Sequence, residues 1–198
     1  MAGLELTAAI AGSPLILASR SPQRRAILEQ LGIAFEMVAV DVEEVAAGDP
    51  IEVARENARR KAQAGALARP GRTILGVDTL VALDGEIFGK PPSAEAARST
   101  LKRLSGRTHE VVSGLALAKS ANPQVAHEVT RVTFRALDDA LIEGYVRTGE
   151  WSGRAGGYAI QGRGGALVRR IMGDYLNVVG LPVGKLLDLD LTLILRGN

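Results

Sequence analysis

Cysteine is absent from the 198-residue chain, which excludes disulfide bonds, thiolate metal sites and a cysteine nucleophile. Aromatic residues are scarce and include one tryptophan, Trp151, so we expect no aromatic platform for sugars or stacked bases. Histidine occurs only at His109 and His127, and neither has a second histidine or a cysteine at the spacing of a zinc site. Carboxylates, hydroxyls and cationic side chains are therefore the candidate chemical groups.

The chain also lacks an excess of one charge and a long apolar run near its start. It has 24 Lys and Arg against 22 Asp and Glu, a formal net charge of +2, which argues against a surface that coats nucleic acid or a membrane. The first dozen residues have neither the basic region of a signal peptide nor the length of a membrane span. We expect a soluble, cytoplasmic protein that binds no nucleic acid and no membrane, with an N-terminal extension over residues 1–13.

Apolar periodicity and turn residues predict one domain over residues 1–198 in which helices and strands alternate. In chain order the predicted elements are a strand at 15–19, a helix at 22–32, a strand at 33–44, a helix from Pro50 to about Leu67, a strand, hairpin turn and strand at 73–88, a helix at 93–104, paired strands at 108–118 and 124–136, a helix after Asp138 and a last helix after Pro182. Some strands pair as hairpins, which favours an α/β fold with a mixed sheet over a purely parallel sheet.

Residues 17–32, LASRSPQRRAILEQLG, run from a predicted buried strand into a helix. Ser21 is a candidate N-cap, and Pro22 suits the first helical position. The backbone N–H groups and the helix dipole at such a turn favour a bound phosphate. Ser19 adds a hydroxyl, and Arg24 in the first turn can lean back toward the N-terminus. The alternative is an ordinary capped helix with solvated arginines.

Acidic residues form a second group. Glu43 and Glu44 end the predicted second strand, and Asp78 lies inside an otherwise apolar strand. Burying an ionised aspartate is costly unless it is paired or holds a metal ion. Strand alternation places Gly76, Asp78 and Leu80 on one face, with Gly76 leaving room beside the carboxylate. The alternative is a hydrogen-bonded structural aspartate or an ion-pair partner.

Two glycine-containing segments resemble nucleotide loops only superficially. Three residues separate Gly85 from Gly89, and Pro91 stands where a P-loop needs Ser or Thr. Lys90 can therefore be a solvated loop residue as well as a phosphate ligand. The segment 153–165 lacks the spacing of a dinucleotide fingerprint and is typical of a flexible loop with close backbone packing.

Considered together, several stretches match one family. They are LASRSPQRR, the pair Glu43 and Glu44, RKA at 60–62, GVDT, GEIFGKP, RLSGRTHEVVSGLAL, AGGYAIQGRGG and GDYLNVVGLPV. The sequence resembles the Maf family of nucleoside triphosphate pyrophosphatases, named for an association with septum formation, from Leu15 nearly to the C-terminus. The resemblance implies a mixed, twisted sheet flanked by helices, in a two-lobed single domain with a central cleft, similar to inosine triphosphatase.

The resemblance also implies an activity, which is hydrolysis of a nucleoside triphosphate to the monophosphate and pyrophosphate. The cofactor would be a divalent metal cation, Mg²⁺ or alternatively Mn²⁺ or Co²⁺. Asp78 and Glu44 would be the catalytic residues, with Asp78 as the base, and the same two residues would be the metal ligands. The phosphate-binding residues would be Ser19, Arg24, Lys61 and Lys90. A homodimer is expected through the resemblance alone.

Base selection fits no branch of the family completely. Thr79 and Gln161 agree with the branch that acts on dTTP and UTP, but Gln23 stands where that branch has Arg and the 7-methyl-GTP branch has Trp. The Gln161 amide can pair with the adjacent carbonyl and N–H of a pyrimidine. We expect dTTP, UTP or a modified pyrimidine nucleotide as substrate. The alternatives are 7-methyl-GTP, broad specificity, or a nucleotide-binding regulator of septum formation with little turnover.

Overall fold

A seven-stranded mixed sheet runs through the computed structural model, which describes residues 13–119 and 122–195. The predicted N-terminal extension, residues 1–13, lies outside these ranges except for residue 13. The elements are β1 Leu15–Ala18, α1 Pro22–Gln30, β2 Phe35–Val38, α2 Pro50–Ala68, β3 Ile74–Leu83, β4 Glu86–Phe88, α3 Ala94–Leu104, β5 Thr108–Ala118, β6 Gln124–Phe134, α4 Asp139–Val146, β7 Val168–Met172, α5 Tyr175–Val179 and α6 Val183–Leu189. Short 3₁₀ turns occupy Ala155–Gly157, Arg163–Leu167 and Leu191–Leu195.

The strand order is β2-β1-β3-β5-β6-β7, with β4 paired to the far end of β3. Strand β1 is parallel to both β2 and β3, whereas β3, β5, β6 and β7 form antiparallel pairs. The predicted α/β fold with a mixed sheet is therefore confirmed. The hairpins predicted at Asp84 and between β5 and β6 are confirmed by the antiparallel registers of their strands.

Helix α2 packs unusually close to one face of the sheet because two glycines face it. A Cβ on Gly76 would lie 2.2 Å from the Ala58 carbonyl oxygen, and a Cβ on Gly114 would lie 2.1 Å from the Ala54 carbonyl oxygen. Asp78 lies on this same face, as strand alternation predicts, because its carboxylate contacts side chains of α2. The space at Gly76 is therefore filled by the helix backbone.

The opposite face of the sheet carries two hydrophobic clusters. One contains Leu75 and Val77 of β3 and packs against α1 and α6. The other contains Val81 of β3 and Phe134 of β6 and packs against α3 and α4. Thr79 lies between the two clusters along β3, which places a hydroxyl where the apolar core is interrupted.

Strand β3 has an open stretch on one edge. Its last pair with β1 joins Gly76 to Ala18, and its first pair with β4 joins Val81 to Phe88. Between these pairs, no strand of the described ranges occupies that edge, while β5 continues along the other. At this opening Asp78 lies on one face of β3 and Thr79 on the other, and both are partly buried. Sites in α/β proteins commonly lie at such an interruption, beyond the carboxyl end of a parallel strand.

The segment after β2 differs from the prediction. The pattern of residues 33–44 predicts a strand through the acidic residues, but β2 ends at Val38. The backbone of Val45 instead pairs with a side chain, since its N–H donates to Asn57 Oδ1 at 2.7 Å and its carbonyl accepts from Asn57 Nδ2 at 3.0 Å. A buried amide thus replaces a neighbouring strand in fixing this segment.

The C-terminal part also differs from the prediction. Strand β7 and helix α5 were not predicted, because β7 is a short edge strand that exposes Arg169 and Arg170 and so lacks apolar alternation. The predicted last helix is divided at Asp190, whose carboxylate accepts from the Thr192 N–H at 3.1 Å and begins a 3₁₀ turn. No helix in the described part of the chain is long and apolar enough to cross a membrane.

Candidate active site

A cleft of about 640 Å³ lies at the open stretch of β3. Its walls are the turn between β1 and α1, residues 40–44, Lys90, residues 150–162 and residues 178–180. All but one of the predicted site residues line it, and they are Ser19, Gln23, Arg24, Glu44, Lys61, Thr79, Lys90 and Gln161. The remaining residue, Asp78, lies directly behind Lys61.

Lys61 joins the two predicted catalytic carboxylates. Its Nζ lies 2.6 Å from Asp78 Oδ1 and 2.6 Å from Glu44 Oε1. The side chains of Lys61 and Asp78 are only 13% and 14% exposed, whereas Glu44 is 54% exposed. The ammonium compensates for the burial of the aspartate, which would otherwise be an unpaired charge in a largely apolar strand.

Asn57 holds the other oxygen of the Asp78 carboxylate. Its Nδ2 donates to Asp78 Oδ2 at 3.1 Å, while the same amide pairs with the backbone of Val45, beside Glu44. Asn57 is 2% exposed, so this one side chain fixes Asp78 relative to the segment that carries Glu44. The sequence interpretation missed Asn57, although a polar residue one helical turn before Lys61 on a buried helix face is a usable signal.

Arg24 crosses from α1 to the open edge of β3 and is almost fully buried. Its Nη1 donates to Ser19 Oγ at 3.0 Å, its Nη2 to Thr79 Oγ1 at 3.1 Å and its Nε to the Gly180 carbonyl at 2.9 Å. Burial lowers the pKa of Arg24, and the negative charges of Asp78 and Glu44 act in the opposite direction. An arginine remains protonated under these conditions, so it places a fixed positive charge at the cleft.

The hydroxyls of Ser19 and Thr79 both contact Arg24 but differ in the hydrogen-bonding capacity that remains for a ligand. Ser19 Oγ accepts from Arg24 and from the Ser21 N–H, and no acceptor within the described ranges takes its hydrogen, which can donate to an anion. Thr79 Oγ1 contacts Arg24, the Ser113 hydroxyl at 2.8 Å and the Gly180 carbonyl at 3.3 Å, which uses the capacity of a hydroxyl. Thr79 therefore holds Arg24 in place, and its direct part in base selection stays a prediction.

The start of α1 has the predicted cap. Ser21 Oγ accepts from the Arg24 N–H at 3.4 Å and donates to Gln23 Oε1 at 3.2 Å. Arg25 instead points to solvent and pairs with Glu29 at 2.7 Å. The solvated-arginine alternative therefore describes Arg25, whereas Arg24 belongs to the cleft.

Residues 150–162 form the opposite wall and carry Gln161. Glu150 also lines the cleft, and its Oε2 accepts from the Gly164 N–H at 3.3 Å. A Cβ on Gly162 would lie 2.5 Å from that same oxygen, which shows how closely the turn after Gln161 packs on Glu150. The close backbone packing predicted for this glycine-rich segment is confirmed.

The candidate metal ligands are Asp78 and Glu44. Within residues 13–119 and 122–195, no three His, Cys, Asp or Glu side chains converge as a metal site. Mg²⁺, however, is often held by one or two carboxylates together with substrate phosphates. The Lys61 ammonium, in contact with both carboxylates, marks a point where positive charge is favoured. The donor set thus fits a divalent ion shared with a polyphosphate rather than an all-protein cage.

A buried histidine lies behind the cleft wall. His109 Nε2 is 2.9 Å from the hydroxyl of Tyr158, a cleft-lining residue, and its ring packs edge-on against Phe134. Burial lowers the pKa of His109 from 6.5 to about 4. The ring is therefore neutral near physiological pH and acts as part of the core.

His109 should make the protein sensitive to acid. As the pH falls below about 6.5, His109 of the unfolded chain takes up a proton, whereas the buried ring of the folded protein stays neutral down to about pH 4. The contribution of His109 to the free energy of unfolding is therefore fully present above pH 6.5. We expect it to fall by roughly 3 kcal/mol between pH 6.5 and pH 4. Urea unfolding at several pH values should show a shallower decline for His109→Gln, which can still pair with Tyr158. His127→Gln, at an exposed histidine, is the control for the loss of a histidine as such. An unchanged slope for His109→Gln would contradict the prediction.

Comparisons with known proteins give the family of this chain. A family model described as "Maf-like protein" matches residues 14–190. The chain is 47% identical over 173 residues to a "dTTP/UTP pyrophosphatase" of Symbiobacterium thermophilum, covering 86% of this chain and 89% of that protein. It is 46% identical over 173 residues to a protein of the same description from Pyrococcus furiosus, covering 85% and 90%. Among solved structures, the Staphylococcus aureus Ham1 protein aligns with a TM-score of 0.45 and 18% identity, covering 62% of this chain and 72% of its own.

Proposed function

Because this chain belongs to the Maf family, we propose that it is a nucleoside triphosphate pyrophosphatase that converts dTTP or UTP to the monophosphate and pyrophosphate. Its relatives are named for this activity and match most of the chain. The observation that carries the proposal is the contact of Lys61 with both Asp78 and Glu44 in a cleft with further cations. Such a cluster suits the cleavage of a highly charged phosphoanhydride.

Substrate binding is the first role of the cationic residues. The triphosphate tail carries roughly four negative charges near neutral pH, so it needs fixed positive groups around it. Arg24 supplies a buried guanidinium, Ser19 a free hydroxyl hydrogen and Lys90 an exposed ammonium. These groups lie on two walls of the cleft, and the tail fits between them.

Lys61 couples binding to catalysis. In the free protein its ammonium occupies both carboxylates. An incoming phosphate offers the ammonium a competing acceptor, and its departure from Asp78 exposes a carboxylate oxygen to water. Asn57 keeps its hydrogen bond to the other oxygen, so the freed carboxylate stays oriented.

The bond changes then follow from the position of Asp78. Asp78 accepts a proton from a water molecule as the water oxygen attacks the α-phosphorus. The bond from the α-phosphorus to the oxygen that bridges to the β-phosphorus breaks, and its electron pair leaves with pyrophosphate. Arg24, Lys61 and Lys90 balance the charge that builds on the leaving group.

Asp78 and Glu44 are also the residues that would hold a divalent metal ion, Mg²⁺ or alternatively Mn²⁺ or Co²⁺. Such an ion supplies charge neutralisation and polarises the phosphate under attack. Glu44 is the more exposed of the two carboxylates, and Asn57 fixes the backbone beside it. The chain therefore provides an adjustable ligand and a fixed ligand.

Gln161 is the residue we assign to recognition of the pyrimidine. Its amide can donate to a ring carbonyl and accept from the adjacent N–H, and it lies exposed in the cleft wall. Gln23 lies at the N-terminus of α1 and accepts a hydrogen bond from the Ser21 hydroxyl. Its side chain is neither a cation nor a ring that could stack on a base.

A panel of nucleotides tests the proposed function. Purified protein is incubated with dTTP, UTP, CTP, GTP, dATP and 7-methyl-GTP, with Mg²⁺ or with EDTA, and the phosphate products are separated. We expect pyrophosphate and the monophosphate, fastest from dTTP and UTP, and little turnover in EDTA. Orthophosphate as the first product would place cleavage at another bond. Tight nucleotide binding without turnover would instead indicate the regulatory alternative.

A further inference from the structure

The cations that line the cleft differ in whether the protein already uses them. Arg24 donates to three protein acceptors, and Lys61 contacts two carboxylates. Arg154 also lines the cleft, yet its guanidinium makes no side-chain hydrogen bond or ion pair with any residue in the part of the chain the structure describes. A guanidinium without a partner inside a cleft has its donors available for a ligand.

The backbone of Arg154 is held firmly even though its side chain is free. Its N–H donates to the Trp151 carbonyl at 3.2 Å, and its own carbonyl accepts from the Gly157 N–H at 3.0 Å. The next turn packs onto β3, where a Cβ on Gly156 would lie 2.8 Å from Val81 Cγ2. Because the backbone of Arg154 is already fixed, less conformational entropy is lost when its guanidinium binds a ligand.

The same turn is tied to the segment that carries Lys90. The Gly156 N–H donates to the Gly89 carbonyl at 3.1 Å, and a Cβ on Gly157 would lie 3.3 Å from Pro91 Cγ. Lys90 directly follows Gly89, and Arg154 lies two residues before Gly156, so this hydrogen bond ties the backbones that carry the two cations. Two cations from distant parts of the sequence share one end of the cleft.

We propose that Arg154 and Lys90 form a subsite for the β- and γ-phosphates, so that Arg154 binds the leaving pyrophosphate. This inference rests on the proposed function. The guanidinium can bind two phosphate oxygens at once, whereas the lysine acts as a point charge. Arg20, the other cleft arginine without a partner in the described ranges, lies more exposed in the turn between β1 and α1, and no backbone hydrogen bond in the described ranges ties that turn to the segment of Lys90.

Inorganic pyrophosphate is the probe that isolates this subsite from the base. Its inhibition constant against dTTP hydrolysis is measured for the wild type, Arg154→Gln and Arg154→Lys. Loss of a charge-assisted bidentate contact should raise the inhibition constant for Arg154→Gln about 10-fold or more. Arg154→Lys should recover part of that loss. The KM for dTTP and UTP should rise together, because the subsite does not contact the base.

Arg163→Gln is the matched control, because Arg163 is an exposed arginine directly after the wall formed by residues 150–162 and does not line the cleft. It should leave the inhibition constant unchanged. Wild-type pyrophosphate inhibition in Arg154→Gln would overturn the subsite, as would a change in the preference among bases without a change in that constant. If the wild type itself releases no pyrophosphate from any nucleotide, the proposed function fails first, so the two failures are distinguishable. Thermal unfolding and the Arg154→Lys variant separate lost binding from lost folding.

Discussion

Asp78→Asn is expected to lower kcat by about 10² to 10⁴-fold, the usual contribution of a positioned acid or base. The amide has nearly the same shape as the carboxylate, but it cannot accept the proton from water and holds a divalent ion poorly. It also removes one negative charge beside Lys61, whose ammonium is 2.6 Å from Asp78 Oδ1. Nucleotide binding should therefore persist or tighten while turnover is lost.

The measurement is the single-turnover rate of monophosphate release with saturating enzyme, together with the dissociation constant for dTTP. Asp84→Asn is the control, since Asp84 lies in the adjoining hairpin, pairs with exposed Arg107 and has a positive φ of 53° that asparagine tolerates. It should retain wild-type turnover. Wild-type turnover in Asp78→Asn would exclude Asp78 as the base and as an essential metal ligand.

Gly114→Ala is expected to lower the free energy of unfolding by about 3 kcal/mol or more, at the upper end of the range for overpacked cores. The new Cβ would lie 2.1 Å from the Ala54 carbonyl oxygen and 2.6 Å from the Arg55 nitrogen. These are backbone atoms of α2 and cannot rotate away. The helix must shift, and Lys61 and Asn57 must move with it, so activity should fall in the molecules that still fold.

Urea unfolding and dTTP turnover measure the two consequences. Gly144→Ala is the matched control, because Gly144 is in helix α4 with nothing within 4 Å of its added Cβ and has no positive φ. That variant should be neutral or more stable by about 0.5–1 kcal/mol. If Gly114→Ala retains wild-type stability, the tight contact between helix and sheet does not constrain the site.

The fold was predictable where local patterns and tertiary packing agree. Ser21, the predicted N-cap of α1, caps that helix in the structure, and Asp138, after which a helix is predicted, caps α4. The hairpin at Asp84 has the expected turn residues. By contrast, residues 39–44 belong to the predicted second strand but pair with no strand of the described ranges. Their conformation depends on Asn57, which is distant in the sequence.

The site residues themselves were identifiable from their types and motifs, whereas their contacts were not. Asp78 lies in a strand and Lys61 in the preceding helix, and only the close packing at Gly76 and Gly114 brings their side chains together. The positions of Asn57 and Arg154 likewise follow from tertiary packing. The one sequence signal for Asn57 is its polar side chain on a buried helix face one turn before Lys61, whereas Arg154 belongs to no local pattern that marks a phosphate site.

Asp78 and Thr79 are neighbours in the chain, yet the first faces helix α2 and the second faces Arg24 and Ser113. A mutation at one position therefore reaches a different set of atoms from a mutation at the other. Replacement of Thr79 would release the Arg24 guanidinium and leave the Lys61 and Asn57 contacts of Asp78 in place. The positive charge on one face of β3 can therefore be repositioned without disturbing the ion pair on the other face.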